Sequence, residues 1–418
     1  MLDSSNESAR NAASKKIAVV GIACRLPGGV TGPDSYWQLL EDKKCGIREV
    51  PSDRWSVDHF YDSDPNALSR SQTKWAGFLD DVKSFDPGFF GLSPREATSM
   101  DPQQRNTLMT SYEAIEDSGI PWEEYQKART GVFVGVQSVD YREVQEKRRS
   151  GFDAFGGTAL AHCIISNRVS HRLNLNGPSY SVDTACSSSL TALNQAILNI
   201  RNNQADYCIV TGVNFMLAPS TFVAFSKAGM LSPTGTLRTF DADANGFVRG
   251  EGIGTVVLKP YDRALADGDR VYAVIEESWA NQDGFTSTIT APNQDSQIKM
   301  MQSLMQGAGV GPNEIGYVEA HGTGTPIGDP IEAGAIGRVV GQPKTNGKLL
   351  IGSVKPNIGH LESGAGVNGL IKLALAIHKG KIPAQIGFDK PNPRIPLDAL
   401  NMEVPLDMTD FPEVDGIR

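Results

Sequence analysis

Cys186 has the surroundings of a nucleophile. It lies in Tyr180-Ser-Val-Asp-Thr-Ala-Cys186-Ser-Ser-Ser-Leu190, a strand-like segment that runs straight into a serine-rich helix start. Ser187, Ser188 and Ser189 are all good N-cap residues, so the spacing predicts Cys186 at or just before a helix N-terminus. There the unpaired backbone N–H groups and the positive dipole end favour thiolate over thiol. An isolated free cysteine is more often a small buried hydrophobe. The serine cap and the strand-to-helix turn reverse that reading here.

Two further turns carry histidines. In Glu319-Ala-His321-Gly-Thr-Gly-Thr-Pro326-Ile-Gly-Asp-Pro-Ile-Glu332 a strand ends and glycines remove side-chain bulk around a histidine. Glycine and threonine at such a place let a thin, extended ligand approach the backbone while hydroxyls bond its amides. A phosphate loop is the competing reading, and it is weak, because no GxxxxGK[ST] pattern follows and the run lacks a basic residue. In Ser353-Val-Lys355-Pro-Asn-Ile-Gly-His360-Leu-Glu362-Ser-Gly-Ala-Gly-Val367 a lysine stands five residues before a histidine at another strand-to-helix turn. His59, His162, His171 and His378 lack that setting and are assigned to structure or surface.

A cysteine with two histidines can form a cysteine hydrolase, in which one histidine is the base and a third group orients it. No segment resembles a protease nucleophile signature, and a second turn-borne histidine is surplus to that chemistry. Two neutral imidazoles beside a thiol suit a different chemistry, in which they hold a thioester carbonyl as it becomes an enolate while the cysteine carries the acyl group to be attacked. That is carbon–carbon bond formation.

The elements that must position these turns are short. Runs of β-branched residues bounded by turn residues predict strands at 17–21, 130–135, 207–212, 254–259, 271–276, 315–319 and 349–351, most of them buried on both faces. Helical patterns lie between them at 34–41, 103–118, 188–201, 295–306, 330–339 and 368–378, which predicts a layered α/β architecture. The 43 glycines and 24 prolines are spread along the chain, as short connections require. With 418 residues, 40% hydrophobic content and a formal charge of −9, the chain can bury a large core, and its acidic balance gives no global pull toward nucleic acid or anionic membrane. The five cysteines show neither CxxC nor Cys/His ligand spacing, so no disulfide framework and no metal site is expected, and a reducing compartment is the simpler setting. The apolar run at 17–24 is too short for a membrane span and reads as a buried strand.

In this order the three segments resemble the ketosynthase domains of type I polyketide synthases, within the broader β-ketoacyl synthase family. The resemblance runs from about residue 15 to the end and includes Ile17-Ala-Val-Val-Gly-Ile-Ala-Cys-Arg-Leu-Pro-Gly-Gly29, Val50-Pro-Ser-Asp-Arg-Trp55, Phe89-Phe-Gly-Leu-Ser-Pro-Arg-Glu96, Asp101-Pro-Gln-Gln-Arg105 and Phe240-Asp-Ala-Asp-Ala-Asn-Gly-Phe-Val-Arg-Gly-Glu-Gly252. It implies a thiolase-like αβαβα five-layer fold of two related halves, an acyltransferase of the 3-oxoacyl-carrier-protein synthase type, and a homodimer in the cytoplasm. The family's nucleophile falls on Cys186 and its catalytic histidines on His321 and His360. Thr323 and Thr325 match positions that line the pantetheine tunnel, and Lys355 matches an active-site lysine in an electrostatic supporting role, acting through Glu362.

On that resemblance no cofactor is bound directly. Substrates arrive on the phosphopantetheine of an acyl carrier protein, and the other partners are further polyketide synthase domains. The expected organisation is a flexible lead-in at 1–15, an N-terminal half at 16–260, a C-terminal half at 261–385 and a linker-like segment at 386–418. Members of the family continue into a final core strand with a Gly-Phe-Gly-Gly-Thr-Asn-Ala-His motif, whereas this sequence ends at Arg418. The expectation is therefore a missing C-terminal core strand, through truncation or a split protein, and with it a missing oxyanion-hole donor, a loss that costs ~10² to 10³ in rate. Two alternatives stay open: a non-catalytic scaffold or partner subunit, and a thiolase-type enzyme that transfers acyl groups only.

Overall fold

The fold, from a computed structural model, is described for residues 16–147, 154–342, 347–413 and 416. The expected lead-in at 1–15 lies outside them. The segment Ile17–Arg25 (β1) is free of polar side chains up to its terminal arginine and is buried on both faces over 17–24. Ile17, Val19, Ile22 and Cys24 enter one core, and Ala18, Val20 and Ala23 the opposite one. The facing residues change from odd to even because a bulge lies between Val19 and Gly21, and one extra residue reverses side-chain parity. At Gly21 a Cβ would lie 2.2 Å from the Ala114 carbonyl oxygen, so glycine is what lets a helix press on the strand there.

Around β1 stand Thr130–Gly135 (β2), Ser179–Val182 (β3), Tyr207–Asn214 (β4), Gly252–Pro260 (β5) and Ala273–Ile275 (β6). They form a six-stranded sheet in the order β3-β2-β4-β5-β1-β6. β2 pairs parallel with β3 and β4, whereas β5 is antiparallel to both β4 and β1. β6 lies past the expected division at residue 260, yet it pairs with β1 through Val19↔Ala273 to Ile17↔Ile275. Residues from both segments thus build the first sheet.

A second sheet contains Tyr317–Glu319 (β7), Leu349–Gly352 (β8) and Met402–Glu403 (β9), all parallel, in the order β9-β8-β7. β9 corrects one expectation. The segment 386–418, expected to be linker-like, supplies the strand Met402–Glu403 to this sheet and buries Met402 and Val404 in its core.

Six helices complete the layers: Pro102–Ser118 (α1), His162–Leu173 (α2), Ser188–Arg201 (α3), Gln294–Ala308 (α4), Gly328–Val340 (α5) and Ala365–Lys379 (α6). α1 and α2 cover the outer face of the first sheet with Leu108, Ile115, Ile165 and Val169. α3 and α6 cover its inner face with Ala196, Ile197, Ile371 and Leu375. α6 also faces the second sheet, where Leu373 packs against Tyr317 and Leu350. α5 brings Ala333, Ile336 and Val340 against Leu349 and Ile351, with Met301 and Met305 of α4 beside them. The result is five layers, αβαβα, with α6 in the middle. The chemical turns follow the carboxyl ends of the parallel strands β3, β7 and β8, where such sheets present their sites. No helix of the described residues is long and apolar enough to cross a membrane.

Candidate active site

The turn between β3 and α3 is tight. Ala185 sits at φ 55°, a left-handed conformation that costs a non-glycine residue about 1–3 kcal/mol. The surroundings hold it there: the Asp183 carboxylate accepts from Ala185 N–H (3.0 Å), Ser188 Oγ accepts from Thr184 N–H (2.9 Å), and the Ser188 hydroxyl donates to the Ala185 carbonyl (2.6 Å). Ser187 is the N-cap, which places Cys186 one residue before it, but the Ser187 hydroxyl turns backward and donates to the Thr184 carbonyl (2.8 Å). Gly135 and Gly212 let this helix start lie directly on the sheet; a Cβ on Gly135 would be 2.4 Å from Ser189 N, and one on Gly212 2.5 Å from Ser189 Cβ.

The helix start does not by itself deliver a thiolate. Burial pushes the Cys186 thiol up, with the Lys355 ammonium and the local backbone pulling the other way. The resting group is a thiol that must lose its proton during attack.

His321 follows β7 in a loop clamped by two carboxylates of α5. Glu332 accepts from His321 N–H (2.6 Å) and Gly322 N–H (2.8 Å), and Asp329 accepts from Gly324 N–H (3.0 Å), Thr325 N–H (3.2 Å) and Phe240 N–H (2.8 Å). Gly322 has φ 48°, and a Cβ there would lie 2.6 Å from Thr239 Cγ2, so neither the turn nor the close approach tolerates a larger residue. Thr323 and Thr325 belong to the same loop, their hydroxyls 3.5 Å apart, with Thr325 Oγ1 accepting from Gly328 N–H (3.1 Å). His321 is itself exposed to solvent, although the surrounding chain encloses it closely. Burial, and then Lys355, hold its pKa down at about 3.

His360 is held differently. Its N–H donates to the Val248 carbonyl (2.7 Å) and its carbonyl accepts from Gly250 N–H (2.8 Å). The Phe247 ring packs edge-on against the imidazole, with centroids 5.3 Å apart. Nδ1 accepts from Glu362 N–H at 3.2 Å, which assigns the proton of the neutral ring to Nε2. Burial, with Lys355, His321 and Arg249 adding to it, holds His360 well below the usual histidine range.

These three turns converge. One donor atom each from Cys186, His321 and His360 lie within 4.8 Å of one another, and the two imidazoles meet at 88° with centroids 5.2 Å apart. Nothing in the spacing of cysteines and histidines along the chain points to such a cluster.

Lys355 is buried beside this group, and burial lowers its pKa against the field of Glu332, Glu319, Cys186 and Asp329. Its partnership with Glu362 is corrected. Glu362 gives its carboxylate to Arg249 in a two-pronged pair, Nε–Oε1 2.5 Å and Nη2–Oε2 3.1 Å. Sequence proximity suggested the lysine, whereas the fold places a buried guanidinium closer. Glu319 instead ties the lysine's turn to the second sheet, accepting from Val354 N–H (2.7 Å) and pairing with Lys372 (2.6 Å). Arg249, Phe247, Asp329 and Glu332 are the supporting residues that sequence reading did not assign. Glu332 carried a usable signal, a carboxylate on the helix that follows a glycine-rich histidine turn.

The chain matches the model of the β-ketoacyl synthase N-terminal domain over residues 14–264 and that of the C-terminal domain over residues 272–389. It is 47% identical over 404 residues to a phenolphthiocerol/phthiocerol polyketide synthase subunit from Mycobacterium tuberculosis (strain CDC 1551 / Oshkosh), a match covering 96% of this chain and 22% of the relative. Another phenolphthiocerol/phthiocerol polyketide synthase subunit from the same organism is 43% identical over 418 residues, covering 100% of this chain and 27% of the relative. The chain thus spans about a quarter of the length of these relatives. Among solved structures, the oxazolomycin ketosynthase domain from Streptomyces albus JA3453 superposes with TM-score 0.91 at 38% identity, over 96% of this chain and 69% of that one. The ketosynthase from module 6 of the bacillaene synthase of Bacillus subtilis 168 gives TM-score 0.87 at 37% identity, over 96% and 68%. With its five thiolase-like layers and its cysteine and two histidines gathered at three strand ends, the chain belongs to the β-ketoacyl synthase family.

Proposed function

We propose that the chain is an elongating ketosynthase that joins a Cys186-bound acyl group to a malonyl-type extender. The observation that carries this reading is the convergence of Cys186, His321 and His360 in a chain of this family. In the first half-reaction Cys186 Sγ forms a bond to the acyl carbonyl carbon, and the pantetheine sulfur leaves with the proton that the thiol gives up. In the second, the bond from the extender's α-carbon to its carboxylate breaks, carbon dioxide departs, and the electron pair passes into a thioester enolate. The α-carbon then attacks the acyl carbon and Cys186 leaves as thiolate. Two imidazoles that stay neutral at pH 7 can donate to the enolate oxygen without adding a positive charge that would have to be shed at release.

In this proposal Thr323 and Thr325 bond the pantetheine amides and Lys355 lends its charge to the Cys186 thiolate. No cofactor is held directly; both substrates are carried on phosphopantetheine. The partners are an acyl carrier protein and neighbouring polyketide synthase domains, with the chain acting as a homodimer in the cytoplasm. The experiment is intact-mass spectrometry after incubation with an acyl-carrier thioester, followed by malonyl-carrier with detection of carbon dioxide and product. An acyl adduct on Cys186 and a β-ketoacyl thioester two carbons longer are expected. No adduct would establish the scaffold reading, and an adduct without carbon dioxide release would establish acyl transfer alone.

A further inference from the structure

Glu362 occupies the left-handed region at φ 47°, where Cβ crowds the backbone and only glycine, asparagine and aspartate settle with ease. The conformation is imposed from outside. Arg249 is fully buried and grips both carboxylate oxygens of Glu362. The backbone on either side of Arg249 bonds to His360, through the Val248 carbonyl and the Gly250 N–H. Residues 248–250 and 360–362 are therefore joined by two main-chain hydrogen bonds and one two-pronged ion pair. The guanidinium is further confined by Phe225 and Phe222, 5.2 and 5.7 Å from their ring centroids, and its Nη1 has no partner among the described residues. A buried charge with an unsatisfied nitrogen and a strained residue at its other end are two costs at one place. What the arrangement yields is the direction of one backbone N–H, that of Glu362, toward His360 Nδ1.

We propose that Arg249 and Glu362 are positioning residues for His360: their ion pair holds the left-handed turn that aims the Glu362 N–H at Nδ1 and thereby keeps the imidazole proton on Nε2, facing the cleft. Neither side chain touches the reacting atoms. The pair decides what His360 can do. With its proton on Nε2 the ring is a hydrogen-bond donor to an oxygen that gains negative charge, and it is not a base toward anything in the cleft. The same tautomer decides what the cluster rejects. A cysteine and two histidines with donor atoms within 4.8 Å have nearly the dimensions of a three-ligand site for zinc or cobalt(II). An Nε2 that bears a proton offers no in-plane lone pair to a metal, and moving that proton to Nδ1 would set it against the Glu362 N–H. The ion pair thus biases one pocket toward stabilising an oxyanion and away from capturing a soft metal.

The test uses the full chain with 15N-labelled histidine and two variants. Glu362→Gln keeps the side-chain shape and removes one charge, and the double change Arg249→Met with Glu362→Gln removes both, so that no unpaired charge stays buried and folding is protected while the left-handed position keeps a side chain. In the parent chain the His360 resonances should show a protonated Nε2 and a bare Nδ1. In the variants an Nδ1–H population should appear, and added cobalt(II) should then give a thiolate-to-cobalt charge-transfer band that a further Cys186→Ala change removes. The kinetic arm rests on the condensation reading: Cys186 acylation should persist while condensation falls at least about tenfold, bounded by the ~10² to 10³ that one oxyanion donor is worth. An unchanged His360 nitrogen pattern in both variants, or acylation and condensation falling in equal proportion, overturns the proposal. The nitrogen resonances report the tautomer whether or not the chain condenses anything, so failure of the functional reading and failure of this one are told apart.

Discussion

The turns that carry His321 and His360 bring the same side chain to the same place by different means. At His321 the protein grips the main chain: Glu332 and Asp329 accept from four backbone N–H groups of the loop and one of Phe240. Among the described residues no hydrogen bond reaches a ring nitrogen of His321. At His360 the protein grips main chain and ring together, through residues 248–250, the Phe247 ring and the Glu362 N–H. One imidazole is placed in position but is free to choose its tautomer; the other has had the choice made. Two residues that look equivalent in a motif therefore differ in how much of their chemistry the fold decides.

The largest expected effect tests that difference directly. His321→Ala and His360→Ala should each cut condensation by ~10² to 10³, the usual value of one oxyanion donor. Asparagine should then separate them. A carboxamide can replace a fixed N–H donor, so His360→Asn should retain at least about tenfold more condensation than His360→Ala, whereas at His321 the two substitutions should be equally poor. Equal rescue at both positions, measured as product formed per acylated enzyme, would remove the distinction.

Next in size is a pH effect. Both imidazoles have folded-state pKa values below that of an unfolded histidine, near 6.5. The stability each contributes is therefore complete above pH 6.5 and is lost as pH falls toward the folded value, because the unfolded chain takes up the proton first. The fully buried His360 should carry the larger part of this loss between pH 6.5 and 5. Denaturant unfolding at pH 7 and pH 5 should show a smaller difference in His360→Asn than in the parent. His321, which is exposed, should give a smaller change, since water screens part of the penalty.

How much of this could be read beforehand differs between the turns and their support. Thr130–Gly135 and Ser188–Arg201 begin and end where local pattern places them, because a fully buried β-branched run and a serine cap are local signals. The helix His162–Leu173 escaped. Its buried positions Ile165, Val169 and Leu173 recur every fourth residue, but Arg168 lies among them and is accommodated by Glu96 (2.6 Å) and Gln104 (3.0 Å), partners from distant sequence. Cys186, His321 and His360 were legible because each sits in a turn of small residues. Their support was not: Arg249 is 113 residues from Glu362, and a lysine nearer in sequence looked the better partner. Nor does composition reveal that burial raises the Cys186 thiol, since that depends on what closes over the turn.

Smaller still is the effect of Glu332→Gln on the first of the two regions. The amide keeps one acceptor oxygen but sets an NH2 against one of the two N–H donors of His321 and Gly322. One unpaired, half-buried donor should cost near the low end of ~1–3 kcal/mol. Condensation should fall more than acylation, because the loop that moves carries His321 and not Cys186. Equal loss of both activities in a chain of unchanged unfolding free energy would mean that Glu332 acts on Cys186 through Lys355 instead.

The smallest change asks which contact orients His360. Phe247 meets the imidazole edge-on at 5.3 Å, and such a pair is worth about 0.5–1.5 kcal/mol beyond the area it buries. If ring packing set the imidazole's direction, Phe247→Leu would misdirect Nε2 and condensation would fall as far as in the Glu362 variants. If the N–H to Nδ1 sets it, leucine keeps most of the apolar cover, the tautomer stays, and the loss should appear as roughly 1 kcal/mol of stability with condensation within a few-fold of the parent. Denaturant unfolding beside single-turnover condensation separates the two. The second outcome is expected, because a hydrogen bond has a direction that defines the ring's plane and its proton, and an aromatic edge constrains neither.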